Sequence, residues 1–379
     1  MEQETTEPAK RIKLSATSEC YANAILTDEY MQELPRAVVY LSELENKRQI
    51  SCVMQELSKM LPMEKMGLQH LKRVRQQDII LCKVNDLSGQ SIREYLATVG
   101  LSENTILILC KNLREQEVPS TAPLLRWQYE NAQKYWPCKF HPDKYIESLH
   151  SGSIFNEKDR TFHTKITEIL FEISSKLEEN KPCGICIDPR NNAIVAAASS
   201  RITISPVMHC PMVLVDYVAR TQGGGAWQKE LTQEFGNLDG NSDKEMEENS
   251  ILSGIPTSYL ELLRNDKRFT DVQIGAEPIR CKTTVEEMVQ NQQSSNMDNL
   301  AKYGPYLCTG YDLYLSQEPC LMCAMALVHS RARRVYFLNR SSNGALVTRL
   351  KLHSVKELNH HYEVFECKKH DCSNNTNCS

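Results

Sequence analysis

Residues 307–337, LCTGYDLYLSQEPCLMCAMALVHSRARRVYF, restrict the fold more than any other stretch of this chain. An alternating apolar run, a proline, an apolar helical segment and a second strand through Val335 and Phe337 follow one another with short links. That order predicts two parallel strands joined by a right-handed helical crossover, and so a sheet with helices packed on it. Cys320 and Cys323 come directly after Pro319, at the start of the predicted helix. Positions i and i+3 share a helix face, and a helix N-terminus favours the thiolate that a metal needs. The pair is a ready chelate.

A third ligand of matching chemistry is His209 in SPVMHCPMVLVD, also at a predicted helix start. Between it and the cysteines lies a polar, partly acidic stretch, 221–303, with GGG, GNLDGNSDKEMEEN and QNQQSSNMDN. It is read as a long flexible insertion, without which the two ligand-bearing helices would be neighbours. One histidine, two cysteines and an open position make the layout of a catalytic zinc site. A hydrolytic site also needs a carboxylate to move protons, and two residues after His209 this chain has Pro211. Upstream, DRTFHTKITEILFEISSKLEEN places Ile166, Ile169, Leu170, Ile173 and Leu177 on one helical face, and GICIDPRNNAIVAAAS reads as a hairpin. The rival pair Cys183 and Cys186 lies in an extended run, where side chains three apart point to opposite faces, so these are read as core thiols.

The chain has 379 residues, with 44 Lys plus Arg against 48 Asp plus Glu, enough for two domains and too acidic for a uniformly basic surface. Nucleic-acid binding would need local basic patches. Residues 1–20 read as a disordered tail carrying Lys10, Arg11 and Lys13 in PAKRIKL, which resembles a basic nuclear import signal. Residues 21–150 read as an α+β module in which DIILCKV and NTILILC are short apolar runs of strand type. Its HLKRVR puts Lys72, Arg73 and Arg75 at a sheet margin, as phosphate contacts or a solvated face. RWQYENAQKYWPCKFHPDK interleaves Trp127, Tyr135, Trp136 and Phe140 with Arg126, Lys134, Lys139 and Lys144, a pattern that suits looped RNA or a ring-filled core. A second domain is expected over 151–367, followed by a disordered tail, 368–379. With no secretory signal and no run long enough to span a membrane, the protein is expected to be soluble and intracellular, its 15 cysteines reduced.

H-C-P with P-C-L-M-C resembles the zinc deaminases of nucleobases, whose signature is H-x-E with P-C-x-x-C. AMALVHSRARRVYF and GALVTRLKLHSVKELNHHYEV are similar to the tRNA adenosine deaminase branch, and HLKRVR and WPCKFH to its degenerate, glutamate-lacking eukaryotic subunit. The resemblance implies a three-layer α/β/α cytidine-deaminase-like domain with a mixed sheet, preceded by a smaller α+β domain. It implies Zn2+ held by His209, Cys320 and Cys323, a heterodimer with a catalytic deaminase subunit, tRNA as the nucleic acid, and residence in nucleus and cytoplasm. Family members carry a substrate-contacting asparagine where an ungapped alignment puts Ser200. Degenerate members usually have Val at the glutamate position, so Pro211 is a further departure. The alternatives are a free-standing zinc-stapled RNA binder and an active deaminase borrowing another acid such as Asp216.

Overall fold

The computed structural model describes residues 20–227, 230–235, 251–277 and 306–369, divided between two compact units. Lys10, Arg11 and Lys13, the C-terminal tail beyond residue 369 and parts of the insertion lie outside these residues. One unit is residues 26–151; the other joins the N-terminal segment through residue 25 to residues 152–379. Strand β1 (Cys20–Ala24), which starts on the last residue of the expected tail and runs into the expected N-terminal module, therefore belongs with the C-terminal unit. Its short buried–exposed alternation finds a partner only at the far end of the chain.

In the 26–151 unit, α1 (Asp28–Met31) leads into β2 (Arg36–Glu43) and α2 (Ile50–Met60). β3 (Val74–Arg75), β4 (Asp78–Lys83), α3 (Ile92–Val99), α4 (Glu103–Leu109) and β5 (Leu113–Pro119) follow, then α5 (Arg126–Tyr135) and α6 (Lys144–Ser151). The four-stranded sheet runs β3-β4-β2-β5, all antiparallel, around a core that includes Leu41, Leu57, Leu68 and Trp136. NTILILC, expected as a strand, is helical. Ser102 caps α4 by accepting from Thr105 N, and Ile106 and Leu109 turn inward while Leu107 faces solvent.

The other unit has a six-stranded mixed sheet ordered β1-β10-β9-β8-β6-β7. Its remaining strands are β6 (Cys183–Asp188), β7 (Ala193–Ser199), β8 (Asp312–Gln317), β9 (Arg334–Asn339) and β10 (Glu363–Lys369). β6 and β7 form the expected hairpin, and β8 and β9 are parallel as the crossover requires. Helix α7 (Glu157–Glu172) covers one face; α8 (Cys210–Thr221) and α10 (Leu321–His329) cover the other, with α9 (Thr257–Asn265) between them in sequence. The result is a three-layer α/β/α domain with a mixed sheet. No helix among the described residues is long and apolar enough to cross a membrane.

Ile166, Ile169, Leu170 and Ile173 form the buried stripe of α7, but Leu177 is 37% exposed. A π-helical turn over Ile173–Leu177 widens the helix, so the residue four places after Ile173 rotates off the core face. Opposite α7, Tyr314, Tyr336 and Phe365 stack across β8, β9 and β10 at centroid distances of 4.4 and 4.9 Å. His163 Nδ1 lies 2.6 Å from the Tyr314 hydroxyl, and burial lowers its pKa to about 4, which keeps the ring neutral.

The described part of the insertion is built into the fold. Residues 251–277 lie along β7, with Ala197 N donating to Gly254 O at 3.1 Å and Gly275 N to Ile194 O at 2.9 Å. They cover a strand edge whose residues are all buried. Gly254 permits this approach, because a Cβ there would meet Val195 O at 2.5 Å. Tyr259 and Leu263 give α9 its buried face. A partly buried network ties these pieces down: Arg201 bonds Glu178 at 2.7 Å and Glu234 at 2.5 Å, Tyr259 bonds Glu178, and Tyr217 bonds Glu234.

Candidate metal centre

His209 is the N-cap of α8 and Cys320 the N-cap of α10, so each ligand sits where a helix begins and backbone N–H groups point outward. Cys323 follows one turn later and is 1% exposed. The ligand atoms of His209, Cys320 and Cys323 all lie within 4.8 Å of one another, and Cys320 Sγ is 3.5 Å from His209 Nδ1. A sulfur and a nitrogen on one tetrahedral zinc ion would be separated by about 3.6 Å. The donor set and its spacing fit zinc. Burial, reinforced by Cys320, pushes the free Cys323 thiol up, so a metal must displace its proton. Cys183 and Cys186 are not part of this cluster. Cys183 donates instead to Lys181 O, and Cys186 is fully buried in the core.

Beside the ligands is a cavity of about 220 Å³ lined by Ser200, Gln317, Asn343 and Pro211 among others. Pro211, in the first turn of α8, lacks only an N–H that has no helical partner there. Where a base should reach the metal, the chain presents an apolar ring. Ser200 lies at the cavity wall, with its own N–H donating to Pro182 O at 2.8 Å. Asp216 offers no substitute: it accepts from Ala226 N at 2.5 Å, and it is not among the residues lining the cavity.

One carboxylate does line the cavity, and sequence reasoning missed it. Glu318 accepts from Leu346 N, Val347 N and Thr348 N at 3.0, 2.7 and 3.0 Å through one oxygen, and from Ser341 N at 3.2 Å and the Thr348 hydroxyl at 2.5 Å through the other. Burial alone would raise its pKa, but these donors hold it below the usual carboxylate value. It is therefore a fixed anion with its acceptor sites used, not a proton shuttle. Gly344 is required beside it, since a Cβ there would stand 2.0 Å from the Glu318 carboxyl carbon. The only sequence cue was a carboxylate next to Pro319 in the QEPC run.

The candidate nucleic-acid cations separate into two kinds. Arg73 is buried, 7% exposed, and donates to Leu57 O at 3.2 Å, Leu61 O at 2.5 Å and Ile80 O at 3.2 Å. It satisfies the C-terminal carbonyls of α2 and cannot reach a phosphate. Burial lowers its pKa to about 10, so it remains charged at neutral pH. Arg75 is half-buried over the Trp136 ring at 4.3 Å and donates to Tyr135 O. Lys72, Arg126, Lys134, Lys139 and Lys144 are exposed. The structure brings the first and fourth of these segments side by side, with Lys72 N donating to Pro137 O at 2.9 Å and Lys139 N to His70 O at 2.7 Å. Trp136 is fully buried and Phe140 stacks on Tyr129, so much of the aromatic run is core. Arg73→Ala is expected to cost about 3 kcal/mol in urea unfolding, because it strips a charged donor from three buried carbonyls. Lys72→Ala and Lys139→Ala should stay within about 0.5 kcal/mol of wild type.

No family model matches the chain. A Danio rerio protein named probable inactive tRNA-specific adenosine deaminase-like protein 3 is 28% identical over 361 residues, covering 90% of each chain. The Homo sapiens protein of the same name is 28% identical over 360 residues, 90% of this chain and 87% of its own. The Arabidopsis thaliana tRNA-specific adenosine deaminase TAD3 is 24% identical over 383 residues, 87% of this chain and 91% of its own. A three-layer domain, a histidine–dicysteine cluster with Pro211 where an acid would stand, and similarity along most of the length converge: the chain is similar to proteins named as probable inactive tRNA-specific adenosine deaminase-like proteins.

Proposed function

We propose that this chain is the non-catalytic, zinc-binding subunit of a heterodimeric tRNA adenosine deaminase that converts the wobble adenosine of anticodons to inosine. The carrying observation is a complete ligand cluster beside Pro211. Bound zinc would polarise a water, but loss of the base that moves its proton costs on the order of 10²–10⁴ in rate. The metal is then worth keeping for the fold, since structural zinc at such ligands contributes on the order of 10 kcal/mol of apparent binding energy. Chemistry falls to a partner that has its own glutamate, and exposed Lys72, Arg126, Lys134, Lys139 and Lys144 contribute tRNA contacts.

A docking surface for that partner is supported by exposed apolar side chains on the two segments that carry the ligands. Ile202, Ile204 and Val207 precede His209 at 54, 50 and 46% exposure, and Leu321 and Met322 follow Cys320 at 52 and 38%. Large apolar side chains left in water on both ligand-bearing segments support an interaction site there.

Coexpression with a catalytic deaminase subunit is expected to yield a one-to-one complex that forms inosine in tRNA and loses all activity when the partner's glutamate is replaced. Leu321→Asp or Ile204→Asp should weaken the complex at least about thirtyfold without lowering the melting temperature of this chain. A chain that stays monomeric beside the partner, or a complex still active with the partner's acid removed, would sink the reading.

A further inference from the structure

We propose that a cleft in the 26–151 unit holds one unpaired nucleotide of the bound RNA, with the base between its aromatic and acidic walls and the phosphate at its cationic rim. This rests on the tRNA reading above and adds a specific subsite to it. The cleft has a volume of about 140 Å³, with Trp127, Asn131, Lys134 and Tyr135 of α5 on one side and Glu33 and Arg36 on the other.

Its walls are fixed by Gln128, which is 1% exposed and has both ends of its amide engaged. Nε2 donates to Glu29 O at 2.8 Å and Gln32 O at 2.9 Å, while Oε1 accepts from Leu124 N at 2.9 Å and Leu125 N at 3.2 Å. Trp127 Nε1 adds a bond to Tyr30 O at 3.2 Å. The segment before β2 is thereby held at a set distance from α5, and the cleft is preformed.

Within this frame several polar groups are left over. Among the described residues the Glu33 carboxylate has no hydrogen bond or ion pair, although its charge acts on Arg36. Among the described residues the Tyr135 hydroxyl has no hydrogen-bond partner, and the Asn131 amide is engaged only through its oxygen, which accepts from Lys134 at 2.8 Å. Arg36 lies 4.8 Å over the Tyr135 ring and is paired with Glu117 at 2.7 Å. Trp127 and Tyr135 are the two rings of the aromatic–basic run left half-exposed beside this space.

A bare phosphate gains little here, because Glu33 and Glu117 offset Arg36 and Lys134. A nucleotide uses everything: rings for the face of the base, a carboxylate for donors on its edge, and a lysine for its phosphate. Guanine suits the site best, since N1–H and N2–H2 offer adjacent donors to the two oxygens of Glu33.

The test uses the full chain with two probes: 5′-GMP against 5′-UMP followed by tryptophan emission, and total tRNA followed by filter binding across a salt series. GMP should bind saturably and more tightly than UMP. Glu33→Gln and Asn131→Ala should weaken both GMP and tRNA about tenfold while leaving the salt slope for tRNA unchanged. Lys134→Ala should lower that slope by about one. Wild-type chain that binds tRNA while Glu33→Gln and Asn131→Ala bind it equally well overturns the cleft alone. GMP binding without any tRNA binding overturns the RNA assignment together with the tRNA reading. Capture of an acidic peptide at the cleft in competition with GMP would make it a protein-docking site and also overturn the proposal.

Discussion

Cys323→Ser and His209→Ala are each expected to abolish zinc binding and to lower stability by several kcal/mol, although no reaction runs through the site. Cys323 is the more sensitive position because it is 1% exposed and packs where α8 and α10 meet. The magnitude follows from linkage. Zinc that binds the folded chain and hardly binds the unfolded one stabilises it by its full binding free energy at the prevailing concentration. Small zinc domains draw on the order of 10 kcal/mol from such sites. This domain also has a large apolar core, so the metal-free variants should fold but melt earlier. Metal per chain and calorimetric melting check the claim. Full zinc content, or unaltered melting in both variants, would show that the cluster holds no structural metal.

What could be read from the sequence was set by how local the signal is. The β8–α10–β9 crossover was legible because the apolar period changes from two to helical at Pro319 and back again before Val335, and that alone fixes two parallel strands. His209, Cys320 and Cys323 were legible from ligand type and helix-start position, and the structure brings them within bonding range of one ion. The edge strand β1 was not, because its partner β10 lies at the other end of the chain and five residues carry no sign of it. NTILILC misled through its run of β-branched and leucine residues, since the decisive signal was the Ser102 cap and not the run. Within the insertion, IPTSYLELL carries a short helical pattern that the polar, low-periodicity sequence around it masks. Arg73 shows a limit of another kind. A cation that reaches a phosphate and one that caps a buried helix end look identical in HLKRVR, and only burial separates them.

Glu318→Ala is expected to weaken zinc binding by about ten- to a hundredfold and to destabilise the domain by on the order of 3 kcal/mol or more, although Glu318 is not among the three ligand-cluster residues. The carboxylate gathers four backbone N–H groups and one hydroxyl from residues 341–348. That loop is joined to the metal segment at two points: Ala345 N donates to Pro319 O at 2.9 Å, and Cys320 pairs with Gly344. Without the acceptor, buried N–H groups lose their partners, the loop must shift to find water, and Cys320 shifts with it. A merely structural role for Glu318 would lower melting equally in the zinc-loaded and zinc-free chains. A positioning role predicts a larger loss in the loaded chain, by the same factor as the fall in zinc affinity. Gly344→Ala supplies an independent route to the same outcome, because its Cβ would displace the intact Glu318 carboxylate from the loop. If both variants bind zinc as tightly as wild type, the metal cluster is organised by α8 and α10 alone and the 341–348 loop is only its cover.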